Sequence, residues 1–226
     1  KTTEENVNDA VSKTNDTIFV STDGGSPCNN TKAFIVGNAV TRKGCHPNCP
    51  KLKAVIWNLE KCMTVVGNSS YVVDATEHNG SIYIADDGGY YWIVGSSTTK
   101  HTLKLSGYRL SEVTGIDVNS KGDVYVAGVV CKKTGKYCKE DNLKIAYWKN
   151  GVLVKAFREN DLPPPDDDGT TSSEKHVAAD SKGKVFIPGY RIDEHHKSDA
   201  AIWINGNFKL LADDADSEAT DAVVVS

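Results

Sequence analysis

The four tryptophans of this chain all end the same kind of short apolar phrase, and this repetition constrains the fold more than any other feature. The phrases occupy residues 54–57, 90–92, 146–148 and 201–203. Each follows another apolar run, and these runs occupy 34–37, 82–85, 124–128 and 185–189. A unit that recurs every ~40 to 60 residues indicates an array of similar structural units. The runs alternate with a period of two and lack helical periodicity, so the units are predicted to be strands.

The unit over 113–157 shows its strands most clearly. Gly122 and the Asn150-Gly151 pair lie between apolar runs, and glycine supplies the positive φ that a tight hairpin turn needs. These turns predict four antiparallel strands, which we call a to d. The same order of runs and turns predicts units over 17–67, 70–106, 113–157 and 175–212.

Four-stranded units of this size are typical of the blades of a β-propeller. We therefore predict an all-β fold in which residues 1–226 form a single domain, a small propeller of four-stranded antiparallel blades. Four tryptophan phrases favour four blades, and a strand over 219–225 would pair with N-terminal strands to close the ring. A five-blade alternative, with 18–22 as the second strand of a further unit, stays open.

Cysteines and sequons together favour a secreted or extracellular protein. The chain has six cysteines, and two pairs lie in equivalent loops, which suggests local disulfides. The predicted pairs are Cys45 with Cys49, Cys131 with Cys138, and the remaining Cys28 with Cys62. Because six cysteines allow 15 pairings, other pairings and reduced thiols stay open. Asn-x-Ser/Thr sequons begin at Asn15, Asn29, Asn68 and Asn79.

The charge and hydropathy of the chain argue against two classes of partner. A formal net charge of −4 gives no electrostatic reason to expect nucleic acid. No apolar run approaches the roughly 18 residues that a membrane-spanning helix needs, so we expect no membrane insertion.

The phrase Ala146-Tyr147-Trp148-Lys149-Asn150-Gly151 resembles the repeat of secreted propeller-like proteins whose units read "A-x-Y-W-K-N-G". Residues 201–206 match with one lysine replaced, and the other two units keep the tryptophan without the Asn-Gly turn. The resemblance covers about residues 30–226. It implies a secreted or surface repeat protein, and it carries over no catalytic residue.

Recognition is expected on the long loops at one end of the units. The b–c loops are predicted over 39–52, 129–143 and 190–199, and the long d–a loop over 158–175. Elaborated loops on one face of a rigid scaffold are the usual place for binding, although neutral insertion is the alternative. The tryptophans are expected in the core. Tyr90 and Tyr91, beside Trp92 in the unit with the shortest loop, are the aromatic candidates for an exposed patch. The other ligand-binding candidates are Tyr190, Arg191, His195 and His196.

One segment could hold a metal ion, and no organic cofactor is predicted. Asp193, His195 and His196 offer metal ligands, but adjacent residues of an extended chain point to opposite sides and seldom chelate one ion. Help from His46 or Asp166 would be needed. The acidic loop over 160–169 fits no calcium-loop spacing and is interpreted as a solvated loop.

These features predict a non-catalytic extracellular binding protein that recognises a glycan, a protein or a small molecule through the long-loop face. A lectin-like protein is favoured, because repeated units offer repeated weak sites. One alternative is a metal-dependent hydrolase or lyase that uses His195 and His196. The other is a structural or matrix protein.

Overall fold

The chain is built almost entirely of β-strands, as its computed structural model shows. The structure describes residues 17–20, 33–41, 51–58, 63–68, 71–133, 137–139, 142–157, 176–192, 198–212 and 217–224. It divides into two compact units, Lys1–Val72 and Val73–Ser226. No helix in the described ranges is long and apolar enough to cross a bilayer. The all-β prediction is confirmed.

The described residues form four sheets, each with four antiparallel strands that are hydrogen-bonded in chain order. Sheet 1 contains β1 (Thr17–Val20), β2 (Ala33–Thr41), β3 (Lys51–Asn58) and β4 (Met63–Asn68). Sheet 2 contains β5 (Val72–His78), β6 (Ser81–Asp86), β7 (Tyr90–Val94) and β8 (Thr98–Thr102). Sheet 3 contains β9 (Tyr108–Val118), β10 (Val124–Lys132), β11 (Leu143–Lys149) and β12 (Val152–Phe157). Sheet 4 contains β13 (Ala178–Ala179), β14 (Val185–Ile192), β15 (Ser198–Ile204) and β16 (Asn207–Leu210). The predicted order of strands a to d is therefore confirmed in every unit.

Asparagine–glycine turns place the hairpins where the sequence predicts them. At Asn150-Gly151 the φ angles are 49° and 77°, and at Asn205-Gly206 they are 51° and 76°. Two consecutive positive φ angles are the geometry of a type I′ hairpin turn. The Asn150 carboxamide also accepts a hydrogen bond from the Val124 backbone N–H at 2.8 Å. That bond ties the turn between strands c and d to the start of strand b.

Glycine on strand b makes room for tryptophan on strand c in sheets 3 and 4. Trp148 and Trp203 have relative exposures of 0% and 1%. A Cβ atom on Gly189 would lie 2.7 Å from Cζ3 of Trp203, and one on Gly128 would lie 3.3 Å from Cζ3 of Trp148. Trp148 belongs to a core cluster formed by sheets 2 and 3, and Trp203 to one formed by sheets 3 and 4. The prediction that tryptophan packs in the core is confirmed for these two residues.

Two predictions about chain segments need correction. The strand predicted over 219–225 is not formed by the described residues 219–224, and no closed sheet is seen among the described strands. Instead the backbone N–H groups of Ser217 and Ala219 donate to Ser198 O at 2.7 Å and Gly189 O at 3.2 Å, so the segment attaches to sheet 4. In addition, 18–22 does not supply a second strand, because β1 is the first strand of sheet 1.

The predicted b–c loops are also shorter than expected, because strand pairing continues into them. In sheet 4 the pairing reaches Ile192 and Ser198. Tyr190 and Arg191 are therefore strand residues rather than loop residues. The pairing of β10 with β11 likewise reaches Cys131 and Leu143.

Candidate binding surface

Tyr90 and Tyr91 point to opposite faces of β7, and this decides which of them can meet a ligand. Tyr91 is 2% exposed and belongs to the core cluster of sheets 2 and 3. Its ring stacks on His101 with the centroids 4.7 Å apart. Burial raises the pKa of the Tyr91 hydroxyl, and nearby Tyr83 raises it further. We therefore assign Tyr91 to the core and keep Tyr90, which is only partly buried.

The face of β7 and β8 opposite that core forms a surface that we call the aromatic strip. Tyr90 pairs with Thr102, and Trp92 pairs with Lys100. Tyr90 and Trp92 are partly buried, whereas the β8 residues are exposed. Cross-strand partners and alternate residues of one strand share a face. The strip consists of Tyr90, Trp92, Thr98, Lys100 and Thr102.

Trp92 is less buried than Trp148 and Trp203, and two neighbouring positions of sheet 2 also differ from those of the other sheets. In each sheet, we compare the strand c residue two positions before the tryptophan with its cross-strand partner on strand b. These pairs are Gly37 with Val55, Asp86 with Tyr90, Gly128 with Ala146, and Gly189 with Ala201. In sheet 2 a buried carboxylate and a tyrosine thus replace glycine and a small aliphatic residue. Where a Cβ atom would meet the tryptophan ring in sheets 3 and 4, sheet 2 carries Asp86, which is 0% exposed.

Asp86 fixes the position of Trp92. The indole Nε1–H of Trp92 donates to Asp86 Oδ2 at 2.8 Å, and the Gly88 backbone N–H donates to Asp86 Oδ1 at 2.9 Å. In sheet 3 the corresponding indole, that of Trp148, donates instead to the carbonyl of Lys104 at 2.9 Å. A hydrogen bond to a buried carboxylate is among the stronger ones in proteins. The ring of Trp92 is thus held in one orientation at the surface.

Lys100 completes the strip by placing a positive charge on its rings. Its ammonium nitrogen lies 3.2 Å from the centroid of the Tyr90 ring and 5.0 Å from that of Trp92. Both distances are within the range of cation–π attraction. The strip therefore combines aromatic surface, a held ammonium group and the hydroxyls of two threonines.

The strip lies close to the end of sheet 2 that carries its b–c connection. This connection is a turn over residues 87–89. Gly89 in the turn has a φ of 80°, and a Cβ atom there would lie 2.9 Å from Leu110 Cδ2. The tight turn brings the chain straight into Tyr90.

The b–c loop of sheet 3 carries a disulfide bond. Cys131 and Cys138 have sulfur atoms 2.10 Å apart and Cα atoms 5.5 Å apart, which confirms this predicted pair. Tyr137 beside it is 73% exposed. The predicted pairs Cys45–Cys49 and Cys28–Cys62 lie outside the described residues.

The remaining predicted site residues are only partly described. Tyr190 is partly buried on β14. Asp193, His195 and His196 lie outside the described residues, as do Asn15 and Asn29. Asn79 is exposed at the β5–β6 turn, and Asn68 ends β4. Within the described ranges, no group of three or more His, Cys, Asp or Glu side chains could hold a metal ion.

A second polar cluster joins the first strands of sheets 2, 3 and 4. The carboxylate of Asp74 accepts a hydrogen bond from the Ile116 N–H at 2.9 Å and lies 3.6 Å from His176 Nδ1. The carboxylate of Asp117 accepts one from the Ala179 N–H at 2.8 Å. Sequence reasoning missed these residues, although aspartate at the ends of the apolar runs 71–74 and 114–118 was a visible signal.

The surroundings of Asp117 in this cluster shift the pKa of its carboxyl. Burial raises the pKa of its carboxyl above the ordinary 3.8, although hydrogen bonds from the Ala179 and Val118 N–H groups lower it, and the charge of Asp74 raises it further. The hydrogen bonds of both aspartates connect neighbouring sheets. We therefore assign them to sheet-to-sheet attachment.

The comparisons with known proteins do not identify this chain. No protein-family model, curated protein or solved structure matches it significantly. Its function must therefore be argued from the strip itself.

Proposed function

We propose that this is a non-catalytic extracellular binding protein that recognises a saccharide through the aromatic strip. The observation that carries the proposal is the orientation of Trp92, whose ring is held at the surface by a buried carboxylate, whereas Trp148 and Trp203 are core residues. Ligand sites combine aromatic side chains with a few polar groups that fix orientation, and the strip has both.

The composition of the strip suits a sugar. Pyranose rings have apolar C–H faces, and tryptophan and tyrosine present large apolar surfaces with a polar edge. Hydroxyl and ammonium groups beside the rings can bond the hydroxyls of the sugar. Thr98, Lys100 and Thr102 supply such groups on β8 and are exposed. The strip belongs to one sheet, so we propose one principal site rather than one per unit.

The extracellular location is part of the proposal. The Cys131–Cys138 disulfide supports it, since disulfides persist in oxidising compartments. Asn79 is exposed, as a glycosylation acceptor must be. Peptide mapping without reduction, on protein from its native source, tests this location. Free thiols and unmodified sequon asparagines would contradict it.

We also propose that the four sheets are the blades of a small propeller. Trp148 and Trp203 each belong to a core shared by consecutive sheets, as inter-blade packing requires. Small-angle X-ray scattering distinguishes a closed ring from an open row of sheets, and the profile of an open row would contradict the proposal.

A glycan array followed by titration calorimetry tests the saccharide site. We expect Trp92→Ala and Tyr90→Ala each to weaken binding of the best array ligand by about tenfold or more, equivalent to ~1.4 kcal/mol. Tyr137→Ala is the control, because it removes an exposed tyrosine of the b–c loop. Circular dichroism would establish that each variant is folded.

Two results would contradict the proposal. One is an array without any saccharide that the wild-type protein binds. The other is a Trp92→Ala variant that binds as the wild type does while Tyr137→Ala loses binding, which would move the site to the b–c loop of sheet 3.

A further inference from the structure

Lys100 carries a positive charge that the structure positions without neutralising it. Its ammonium group contacts the rings of Tyr90 and Trp92 and forms no ion pair with any carboxylate in the described ranges. An aromatic ring attracts a cation through its quadrupole but has no net charge. Neither aromatic contact neutralises the charge of the ammonium group.

Lys149 in sheet 3 shows the opposite arrangement. Its ammonium nitrogen lies 5.7 Å from the centroid of the Tyr125 ring and 2.8 Å from Asp123 Oδ2. There the ammonium group forms an ion pair with a carboxylate, and the ring is a secondary contact. The two lysines differ in whether an acid partner is supplied by the protein.

In sheet 2, Asp86 does not serve as a corresponding carboxylate partner for Lys100. One carboxylate oxygen accepts the indole N–H of Trp92 and the other accepts the N–H of Gly88. The side chain is also 0% exposed, so its carboxylate is not presented to a ligand. The charge exposed on the strip is that of Lys100.

We infer that the ligand of the aromatic strip is an acidic saccharide, whose carboxylate or sulfate group pairs with Lys100 while its ring packs on Trp92. This inference rests on the proposed function and adds the chemical class of the ligand. Tyr90 is then a positioning residue, because it holds the ammonium group that meets the anion. A charge-assisted hydrogen bond from a preplaced ammonium group would contribute both affinity and selectivity for anions.

Titration calorimetry with three matched oligosaccharides tests the inference. The ligands are an oligomer of uronic acids, the same oligomer with its carboxylates reduced to primary alcohols, and a sulfated derivative of the reduced oligomer. We expect the wild-type protein to bind at least one acidic form about tenfold more tightly than the reduced form. The carboxylated and sulfated arms show which anion the site prefers.

The matched variants are Lys100→Gln and Lys209→Gln. Lys209 is also an exposed lysine on the last strand of its sheet, β16, outside the strip, so both variants change the net charge equally. We expect Lys100→Gln to bind the acidic and reduced oligomers within about twofold of each other, and Lys209→Gln to keep the wild-type preference. The preference of the wild type should also shrink at high salt, because exposed charges are screened.

Equal wild-type affinity for acidic and reduced oligomers, with Trp92→Ala still losing both, would overturn the inference and leave the saccharide site standing. A preference for the acidic oligomer that survives in Lys100→Gln would overturn it as well. If the array and all three oligomers show no binding to the wild type, the proposed function fails too.

Discussion

Substituting Asp86 tests most directly how sheet 2 holds the Trp92 ring in place. Replacing it with alanine removes the acceptor of two hydrogen bonds, of 2.8 Å from the Trp92 indole and 2.9 Å from Gly88 N–H. Gly88 is exposed, so water can replace its bond at little cost. The indole is partly buried, and losing a bond to a charged acceptor costs about 1.5–3 kcal/mol.

The vacated space adds to the loss, whereas releasing a buried carboxylate from its desolvation offsets part of it. We therefore expect Asp86→Ala to lower the free energy of unfolding by ~2 kcal/mol, or the melting temperature by about 4–8 °C. Asp86→Asn keeps a carbonyl acceptor of the same shape and should lose less than half as much. Urea unfolding followed by tryptophan fluorescence measures both.

Asp87→Ala is the control, because this neighbouring acidic residue is exposed. The expected result has a second part: Asp86→Ala should weaken saccharide binding even at temperatures where it is fully folded, since the Trp92 ring loses its anchor. Asp86→Ala and Asp87→Ala variants with free energies of unfolding within about 0.5 kcal/mol of each other would refute the argument, because surface substitutions fall in that range.

Two further predictions concern residues outside the strip. Burial raises the folded-state pKa of Asp117 above 3.8. Its contribution to stability is therefore greatest below pH 3.8 and is lost as the pH rises through the folded-state pKa. Urea titrations from pH 3 upward should show Asp117→Asn gaining stability relative to the wild type. Asp180, whose pKa the Lys184 and Lys182 N–H groups lower, should show the opposite slope as Asp180→Asn, and parallel curves would contradict the assignment. Gly189→Ala would place a methyl group 2.7 Å from Cζ3 of buried Trp203, so we expect a loss of about 1–3 kcal/mol in urea unfolding, and an unchanged midpoint would show that the ring can move.

The strands were predictable because the turns that separate them have strict chemistry. Asn150-Gly151 and Asn205-Gly206 adopt the two positive φ angles that type I′ turns require, and few residue pairs can do so. The Cys131–Cys138 disulfide was predictable for a similar reason, since a short loop keeps its ends together. Local chemistry of this kind is readable in a sequence.

Contacts between sheets were much harder to predict. Asp74 bonds a backbone group 42 residues away, and Asp117 bonds one 62 residues away. Neither aspartate differs in type from the many solvated acidic residues of the chain. The C-terminal segment was interpreted as a strand from its apolar residues, but its described hydrogen bonds run to sheet 4, and the sequence contains no sign of that attachment.

Only part of the candidate site could be predicted from the sequence, and the reason is physical. Tyr90 and Tyr91 are adjacent, so alternation puts one in the core and the other on the surface, but the sequence alone does not say which. The missing signal lay in the preceding strand, where Asp86 directly follows the apolar run 82–85, whereas the other three runs end in glycine. That position distinguishes Trp92 from Trp148 and Trp203 in the sequence.

The two departures in sheet 2 depend on each other. An aspartate at Gly189 could not fit, because even a Cβ atom would lie 2.7 Å from the ring of Trp203. In sheet 2 the side chain at this position, that of Asp86, instead accepts a hydrogen bond from the Trp92 indole. In sheets 3 and 4 the glycine at this position makes room for a buried ring, so Asp86 and Trp92 form a coupled departure in sheet 2, and substituting either one tests whether the departure serves the proposed site.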